Sequence, residues 1–476
     1  MLKGMKQSNN QMKRAKQAEC VVGGDLFVED IPVWYESHGK VSSKWLSICE
    51  EERHQTSGLL EQVSSLTNLQ RAYKSVKSNG GSSGIDGMSI KTFGVWFKGN
   101  YATLQQSLLT GSYTPQAVKG VKIPKAQGGY RQLGIPTVQD RVVHQAIKQV
   151  LQVYYEPKFS EQSYGFRPNR STHQALASAQ GIVKSGKTKV VDIDLSKFFD
   201  EVSHQRLMWL LGTRIGDKRL LNLIQKILKT GILEGGVESQ RVKGTPQGSP
   251  LSPLLSNIVL DELDQELTRR GLSFVRYADD VKIFASSWVS ATRIMESVSE
   301  FIEGRMHLKV NREKSGVRRC YDVTFLGYSL LYGGKLGLSK TSEKRLKDKI
   351  RLITGRNRGI SFGEVLKELQ LVMQGWLQYY RYAAMKQKLQ KIEGWLRRRL
   401  KCFRLKQCKR AIGIVRFLRS LGVEKTLCWR TALSGKGWWR KSNSAATNIG
   451  MNNQWFAEQG FYSLTDNYEK LYRTSI

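Results

Sequence analysis

Acidic residues are scarce in this chain. Forty Asp and Glu stand against 76 Lys and Arg, a net charge of +36 over 476 residues. A basic excess of this size opposes self-association and calls for a polyanion, because cations on phosphate release condensed counterions. Cysteine is sparse too. The six lie at positions 20, 49, 320, 402, 408 and 428, with no Cys-x-x-Cys pair and no His at finger spacing, which excludes the common zinc modules. Cys402 and Cys408 could share a zinc, but free buried thiols in a reducing compartment are the preferred reading. Apolar runs of about 18 residues are lacking, so no membrane-spanning helix is expected. The first twenty residues carry five cations but no apolar stretch, so no secretory signal is expected either. No internal repeat is visible.

What remains is ordinary for a globular protein: 40% hydrophobic and 24% charged residues, with 11 Trp and 18 Tyr. The length suits about three domains of ~150 residues. Residues 1 to about 60 read as weakly ordered. From Ser65 an apolar repeat (Leu66, Leu69, Ala72, Tyr73, Val76) predicts a helix that stops at Asn79-Gly80-Gly81. The loop Gly84-Ile85-Asp86-Gly87 lacks a P-loop ending and reads as a turn after a helix cap. Residues 118–135 read as two strands around a Gln127-Gly128-Gly129 turn. Thr137 and Asp140 then cap a long amphipathic helix that ends at Pro157. A strand is expected at 188–195, helices at 204–230, a helix at 252–270 and a hairpin at 273–286. A helix at 289–304, a strand near 306–310 and a strand pair within 324–338 follow. Beyond Lys340 basic, Trp-containing helical segments take over, which sets a boundary near 340.

Two acidic features lie within apolar strands. In Val191-Asp192-Ile193-Asp194-Leu195, strand alternation puts Asp192 and Asp194 on one face. Asp279-Asp280 occupies a hairpin turn between the apolar arms Phe274-Val275 and Val281–Ala285. Carboxylates in such places are costly unless a positive group meets them, and a divalent cation would do so. Mg²⁺ prefers hard oxygen ligands and keeps phosphate or water in its shell. Two such ions about 4 Å apart can activate a 3′-hydroxyl and stabilise a leaving pyrophosphate. Taken alone, each feature also fits an ordinary polar turn or a surface-facing strand.

The surroundings decide between these readings. Tyr277-Ala278-Asp279-Asp280 resembles the catalytic hairpin of reverse transcriptases, and residues Val191 to Asp200 resemble that family's first catalytic motif. Gly244-Thr-Pro-Gln-Gly-Ser-Pro through Asn257, Ile123-Pro-Lys125 through Arg131 to Pro136, Ser163-Tyr-Gly-Phe-Arg-Pro-Asn-Arg-Ser171 and Phe325-Leu-Gly-Tyr328 complete the family's order. The finer resemblance is to bacterial group II intron-encoded reverse transcriptase/maturases. Leu69 to Lys77 with Gly84 to Gly87, Gly375-Trp-Leu-Gln-Tyr-Tyr380 and Gly437-Trp-Trp-Arg-Lys-Ser-Asn443 carry it, over residues 65 to 465. The tail has no paired Cys, which is similar to members lacking the endonuclease domain, expected to prime from existing 3′ ends.

The resemblance implies an α+β right-hand polymerase fold: fingers and palm with antiparallel sheet over 61–340, an α-helical thumb or maturase domain over 341–400, and a basic DNA-binding region over 401–476. Residues 1–60 stay unassigned. It implies that Asp194 and Asp279 bind two Mg²⁺ ions with Asp280 beside them and the Leu195 carbonyl completing one shell. Asp192 would support and Asp200 would brace. Phe199 would lie under the incoming sugar and exclude a 2′-hydroxyl; its alternative is a core ring beside Phe198. Lys125 and Arg131 would reach the triphosphate, or else be simply solvated. Gln247 would face the nascent pair. Lys314 would act as general acid or pair with phosphate. Arg167 would reach the site or brace the palm loop.

The implied partners are group II intron RNA, target and primer DNA, and dNTPs, with no membrane, a homodimer left open, and a bacterial cytoplasmic, nucleoid-associated ribonucleoprotein as the setting. Between Lys391 and Lys441 there are sixteen Lys/Arg and two acids, which favours a nucleic-acid face carrying Arg397, Arg398, Arg399, Lys401, Arg404 and Lys406 over a merely solvated helix. Two other readings are a catalytically silent, RNA-binding maturase and a domesticated or defence-associated reverse transcriptase.

Overall fold

The computed structural model describes residues 51–53, 55–124 and 128–473. In chain order it runs α1 (Leu59–Ser64), α2 (Leu66–Asn79), α3 (Ile90–Leu109), β1 (Val118–Pro124), β2 (Tyr130–Ile135), α4 (Val138–Tyr155), α5 (Thr172–Lys184) and β3 (Lys189–Asp194). Then come α6 (Phe198–Glu201), α7 (His204–Gly212), α8 (Lys218–Lys229), β4 (Ile232–Glu234), β5 (Val237–Ser239), α9 (Ser252–Arg269), β6 (Ser273–Tyr277), β7 (Asp280–Ala285) and α10 (Trp288–Glu300). The strands end with β8 (Gly316–Arg319), β9 (Thr324–Phe325), β10 (Tyr328–Leu330) and β11 (Leu336–Leu338). Helices follow: α11 (Lys340–Ile353), α12 (Phe362–Tyr380), α13 (Lys386–Gln407), α14 (Ala411–Ser420), α15 (Lys425–Ala432), α16 (Trp438–Lys441), α17 (Ala445–Gly450), α18 (Asn453–Glu458) and α19 (Leu464–Arg473). The strands form three sheets, ordered β2-β1-β4-β5, β6-β7-β3-β8 and β11-β10-β9. The expected α+β class is met.

The chain divides into two compact units, Met1–Ser171 with Ile193–Lys282 and Arg293–Gly316, and Thr172–Asp192 with Ile283–Thr292 and Val317–Ile476. In the first, α4 is the organising helix. Its apolar residues Val138, Val142, Val143, Ala146, Ile147, Val150 and Leu151 recur at helical spacing and are all buried. Thr137 caps it by accepting from the Asp140 N–H. Asn68 of α2 donates to the Ala146 carbonyl at 3.1 Å, satisfying a polar group inside this packing.

In the second unit, α13 is the spine, burying Leu389, Ile392, Leu396, Leu400 and Phe403 at spacings of three and four. Two motifs quoted separately above interlock there. Tyr379 donates to the Leu326 carbonyl at 2.9 Å, and Tyr380 to Ser342 at 2.9 Å. Gly327 has φ +82°, and a Cβ on it would meet the Tyr380 hydroxyl at 2.5 Å, so only glycine fits.

The structure departs from the sequence expectations in four places. The reading of 1 to about 60 as weakly ordered lies largely outside the described residues, but α1 begins at Leu59 with Leu59, Leu60 and Val63 buried. Its six residues are too short to show a period. Residues 306–310 make no strand; only Val310 forms an isolated bridge, to Leu195. The short pair β4–β5 and the strand β8 were not foreseen, because three or four residues carry little alternation. The region 324–338 makes three strands rather than two. Cys320, Cys402, Cys408 and Cys428 are all free, as expected. No described helix is long and apolar enough to cross a membrane.

Candidate active site

Asp194 closes β3, and β7, its neighbour in the sheet, opens with Asp280; Asp279 lies in the turn between β6 and β7. The acidic positions therefore sit on adjacent strands. Asp194 is clamped through its backbone: its N–H donates to Ser315 Oγ at 2.9 Å, and its carbonyl accepts the Asn311 N–H at 2.8 Å. Its carboxylate stays solvent-facing, with Lys314 Nζ 3.9 Å away. The Leu195–Val310 bridge is flanked by bonds from Ser196 N–H to the Lys309 carbonyl and from Asn311 N–H to the Asp194 carbonyl, which leave the Leu195 carbonyl out of the ladder.

The Asp279 carboxylate makes no hydrogen bond or ion pair among the described residues. Asp280 differs, since the ammonium of the buried Lys282 sits on its Oδ1. Asp192 is held by Arg318. Among the described residues no three His, Cys, Asp or Glu gather as a metal cage. Two carboxylates with one free carbonyl are still a hard-oxygen donor set that suits Mg²⁺, whose shell is normally completed by water and substrate phosphate.

The turn that carries Asp279 is supported from below by a group the sequence did not single out. Arg276, with no solvent exposure, is paired to the equally buried Asp264 through both arms. It also donates to Asn257 Oδ1 and to the Ala278 carbonyl, each at 3.0 Å. Asn257 in turn donates to the Gly165 carbonyl at 2.9 Å. Ala278 has φ +58°, costly for any residue with a Cβ, and a Cβ on Gly165 would come within 2.2 Å of the Ala278 nitrogen. The loop 163–165 thus packs directly on the turn, and Arg276 pins both. Burial pushes the Asp264 carboxyl up while the Arg276 guanidinium pulls it back. The one sequence signal was an arginine between Val275 and Tyr277 in an apolar strand. Arg167 braces the same loop, bonding Glu156 and the Ser163 carbonyl at 2.8 Å each.

A second cluster joins the hairpin β1–β2 to the motif 244–250. Arg131 Nε donates to Gln247 Oε1 at 2.8 Å, and Gln247 Nε2 donates to Asp200 Oδ1 at 2.9 Å. The Gly134 N–H donates to the Gln247 carbonyl at 2.8 Å, and a Cβ on Gly248, at φ +119°, would meet the Gly134 oxygen at 2.4 Å. Glycine is required there by close approach as well as by backbone angle. Phe198 is buried, whereas Phe199 is half-exposed with its ring 5.4 Å from that of Phe198, so Phe199 is not the core ring of the pair. His144 is fully buried against this motif, its Nδ1 2.9 Å from Ser249 Oγ, and burial lowers its pKa to about 3. Lys125 lies outside the described residues.

The six cations of α13 scatter rather than form one face. Arg397 pairs with Glu393, Arg398 donates to the Trp439 carbonyl at 2.9 Å, and Arg399 donates to Thr354 at 2.7 Å. Lys401 reaches Asn448, Arg404 lies over Phe417, and Lys406 reaches Asn357.

Comparison with known proteins gives this arrangement a family. The reverse transcriptase (RNA-dependent DNA polymerase) family matches residues 123–330, and the group II intron, maturase-specific domain matches residues 343–419. Protein YkfC of Escherichia coli (strain K12) is 33% identical over 287 residues, which cover 52% of this chain and 75% of that one. The group II intron-encoded protein LtrA of Lactococcus lactis subsp. cremoris is 37% identical over 206 residues, covering 43% of this chain and 34% of LtrA. Among solved structures, a chain of a partial Cas6-RT-Cas1–Cas2 complex is 24% identical over 52% of this chain and 42% of that one, at a TM-score of 0.33, too loose to bear on the fold. The ordered motifs, the two matched domains and the span shared with YkfC make one conclusion: this chain belongs to the family of group II intron reverse transcriptase/maturases.

Proposed function

We propose that this protein is an RNA-directed DNA polymerase encoded by a group II intron, which binds its intron RNA to assist splicing and copies that RNA into DNA during retrohoming. The observation that carries the reading is the unpaired Asp279 carboxylate on a turn braced from beneath, beside the strand that ends in Asp194. A silent RNA-binding protein has no need to maintain an uncompensated acid there.

In this reading Asp194, the Leu195 carbonyl and Asp279 hold two Mg²⁺ ions. When bound, the ions supply Lewis acidity to the primer 3′-hydroxyl and to the departing pyrophosphate. Lys282 balances the charge of Asp280, so the turn does not carry two adjacent bare acids. Arg131 is oriented by Gln247 through Nε, which leaves its terminal nitrogens as a fork for triphosphate oxygens. Phe199, half-exposed beside the buried Phe198, would be the ring that closes the space for a 2′-hydroxyl. Lys314, beside Asp194, is placed to neutralise or protonate the leaving phosphate. Target DNA, primer and dNTPs are the further ligands this chemistry requires.

The test is extension of a DNA primer on an RNA template with and without Mg²⁺. Asp279→Ala and Asp194→Ala should each abolish extension while RNA affinity is kept. Normal extension by Asp279→Ala would sink the assignment, and tight RNA binding by a wild-type protein that extends nothing would favour a silent maturase. Phe199→Ala should raise ribonucleotide incorporation by at least about 10-fold, in line with the cost of filling a space one group too small.

A further inference from the structure

One cleft in the helical unit has no role in that chemistry. The loop after α11, the C-terminal half of α13 and the start of α16 line an open cleft of about 430 Å³. It is lined by Gly355, Arg356, Asn357, Arg358, Arg399, Lys406 and Trp438, four cations and no carboxylate. Two of the cations are already committed. Arg358 spends its terminal nitrogens on Glu368 at 2.9 Å each, and Arg399 is tied to Thr354 and to the Arg351 carbonyl. Lys406 is steered by Asn357 toward the loop. Arg356 is exposed and makes no hydrogen bond or ion pair among the described residues. Burial, aided by the guanidiniums of Arg351 and Arg356, pushes the pKa of Arg399 down.

Such a cleft lacks an anion, and it has an aromatic wall. Duplexes are recognised along their backbones by broad surfaces, whereas unpaired nucleotides enter concave sites that combine a cation with a ring. We propose that this cleft holds one unpaired nucleotide of a single strand, its phosphate on Arg356 and Lys406 and its base against Trp438. The proposal rests on the reading of this chain as a nucleic-acid binder and names a position for that binding.

The test uses the full chain in EDTA, so that only binding is read and polymerase failure cannot be confused with it. Fluorescence anisotropy would follow labelled oligo-uridine RNA, oligo-thymidine DNA and a blunt RNA duplex across a salt series. Arg356→Gln should weaken single-strand binding and reduce the slope of log K against log salt by about 0.7, one phosphate's worth. Trp438→Leu should weaken it by roughly 10-fold, as loss of one stacked base does. The duplex should bind both variants as it binds the wild type. Loss on the RNA strand, the DNA strand or both names the strand that uses the cleft. Unchanged single-strand affinity and slope for Arg356→Gln, or an equal loss on the duplex, would overturn the proposal. Arg356 anchors nothing, so that variant keeps the test decisive should Trp438→Leu lose its fold, which thermal melting reports.

Discussion

Cations are secured by different means in the two regions of this chain. In the polymerase unit buried cations face carboxylates: Arg276 with Asp264, Arg206 with Glu262, Arg167 with Glu156, Lys282 with Asp280. In the helical unit they face rings. Arg398 lies 4.1 Å from the Trp439 centroid, Arg404 4.1 Å from Phe417, and Arg397 and Arg399 each 5.4 Å from Phe461 and Trp395. Ion pairs persist there too: the half-buried Asp192 holds Arg318, the more exposed Glu368 holds Arg358, and the buried Glu393 gathers Arg397 and the Thr465 N–H and hydroxyl. The cause is compositional. With sixteen cations and two acids between Lys391 and Lys441, ring faces and carbonyls take the place of absent carboxylates. The lesson is about what each tie leaves behind when it is cut: a broken ion pair strands a buried charge, whereas a lost ring contact strands nothing.

That contrast is open to direct attack. Arg276→Met should be the most damaging change, about 3–5 kcal/mol, because Asp264 would be left charged and enclosed. Denaturant unfolding measures it, and adding Asp264→Leu should return most of the loss. If the double variant stays as unstable as the single one, the pair is not what holds the turn. His144 sharpens the comparison with a group that has no charge partner at all. Its folded pKa of about 3 lies below the ordinary value of 6.5, so its contribution is complete above pH 6.5 and is lost as pH falls toward 3. Between pH 6.5 and pH 5 the stability gap between wild type and His144→Asn should shrink by about 2 kcal/mol. A gap that does not change with pH would mean that His144 takes up its proton as readily in the fold as in the unfolded chain. Arg398→Ala should cost least, about 1 kcal/mol, the scale of a half-buried cation over a ring. A loss as large as that of Arg276→Met would erase the distinction between the regions.

Much of the site was readable because its signals are local. The helix Val138–Tyr155 shows itself through seven apolar residues at helical spacing and a Thr-x-x-Asp cap. The turn at Asp279 shows itself as polar residues between apolar arms. The bonds that Asp200 and Arg167 make, to Gln247 and Glu156, reach 47 and 11 positions along the chain and were not readable from their motifs. Arg276 and Lys282 were not readable as anchors. A basic residue on a strand looks the same whether it meets water or an acid, and Asp264 is 12 positions from Arg276 on a different element. The basic run on α13 did not reveal its neighbours, since a helix packed on several sides points each cation at a different one.

The order of amino acids alone decided the longer elements, the carboxylates and their sequence of motifs, since backbone propensity and periodic burial act over a few residues. Only the folded chain decided which charges would be paired, which would face a ring, and which would stay bare in a cleft. Electrostatic energy depends on distance and surrounding medium, and neither exists until remote segments have come together.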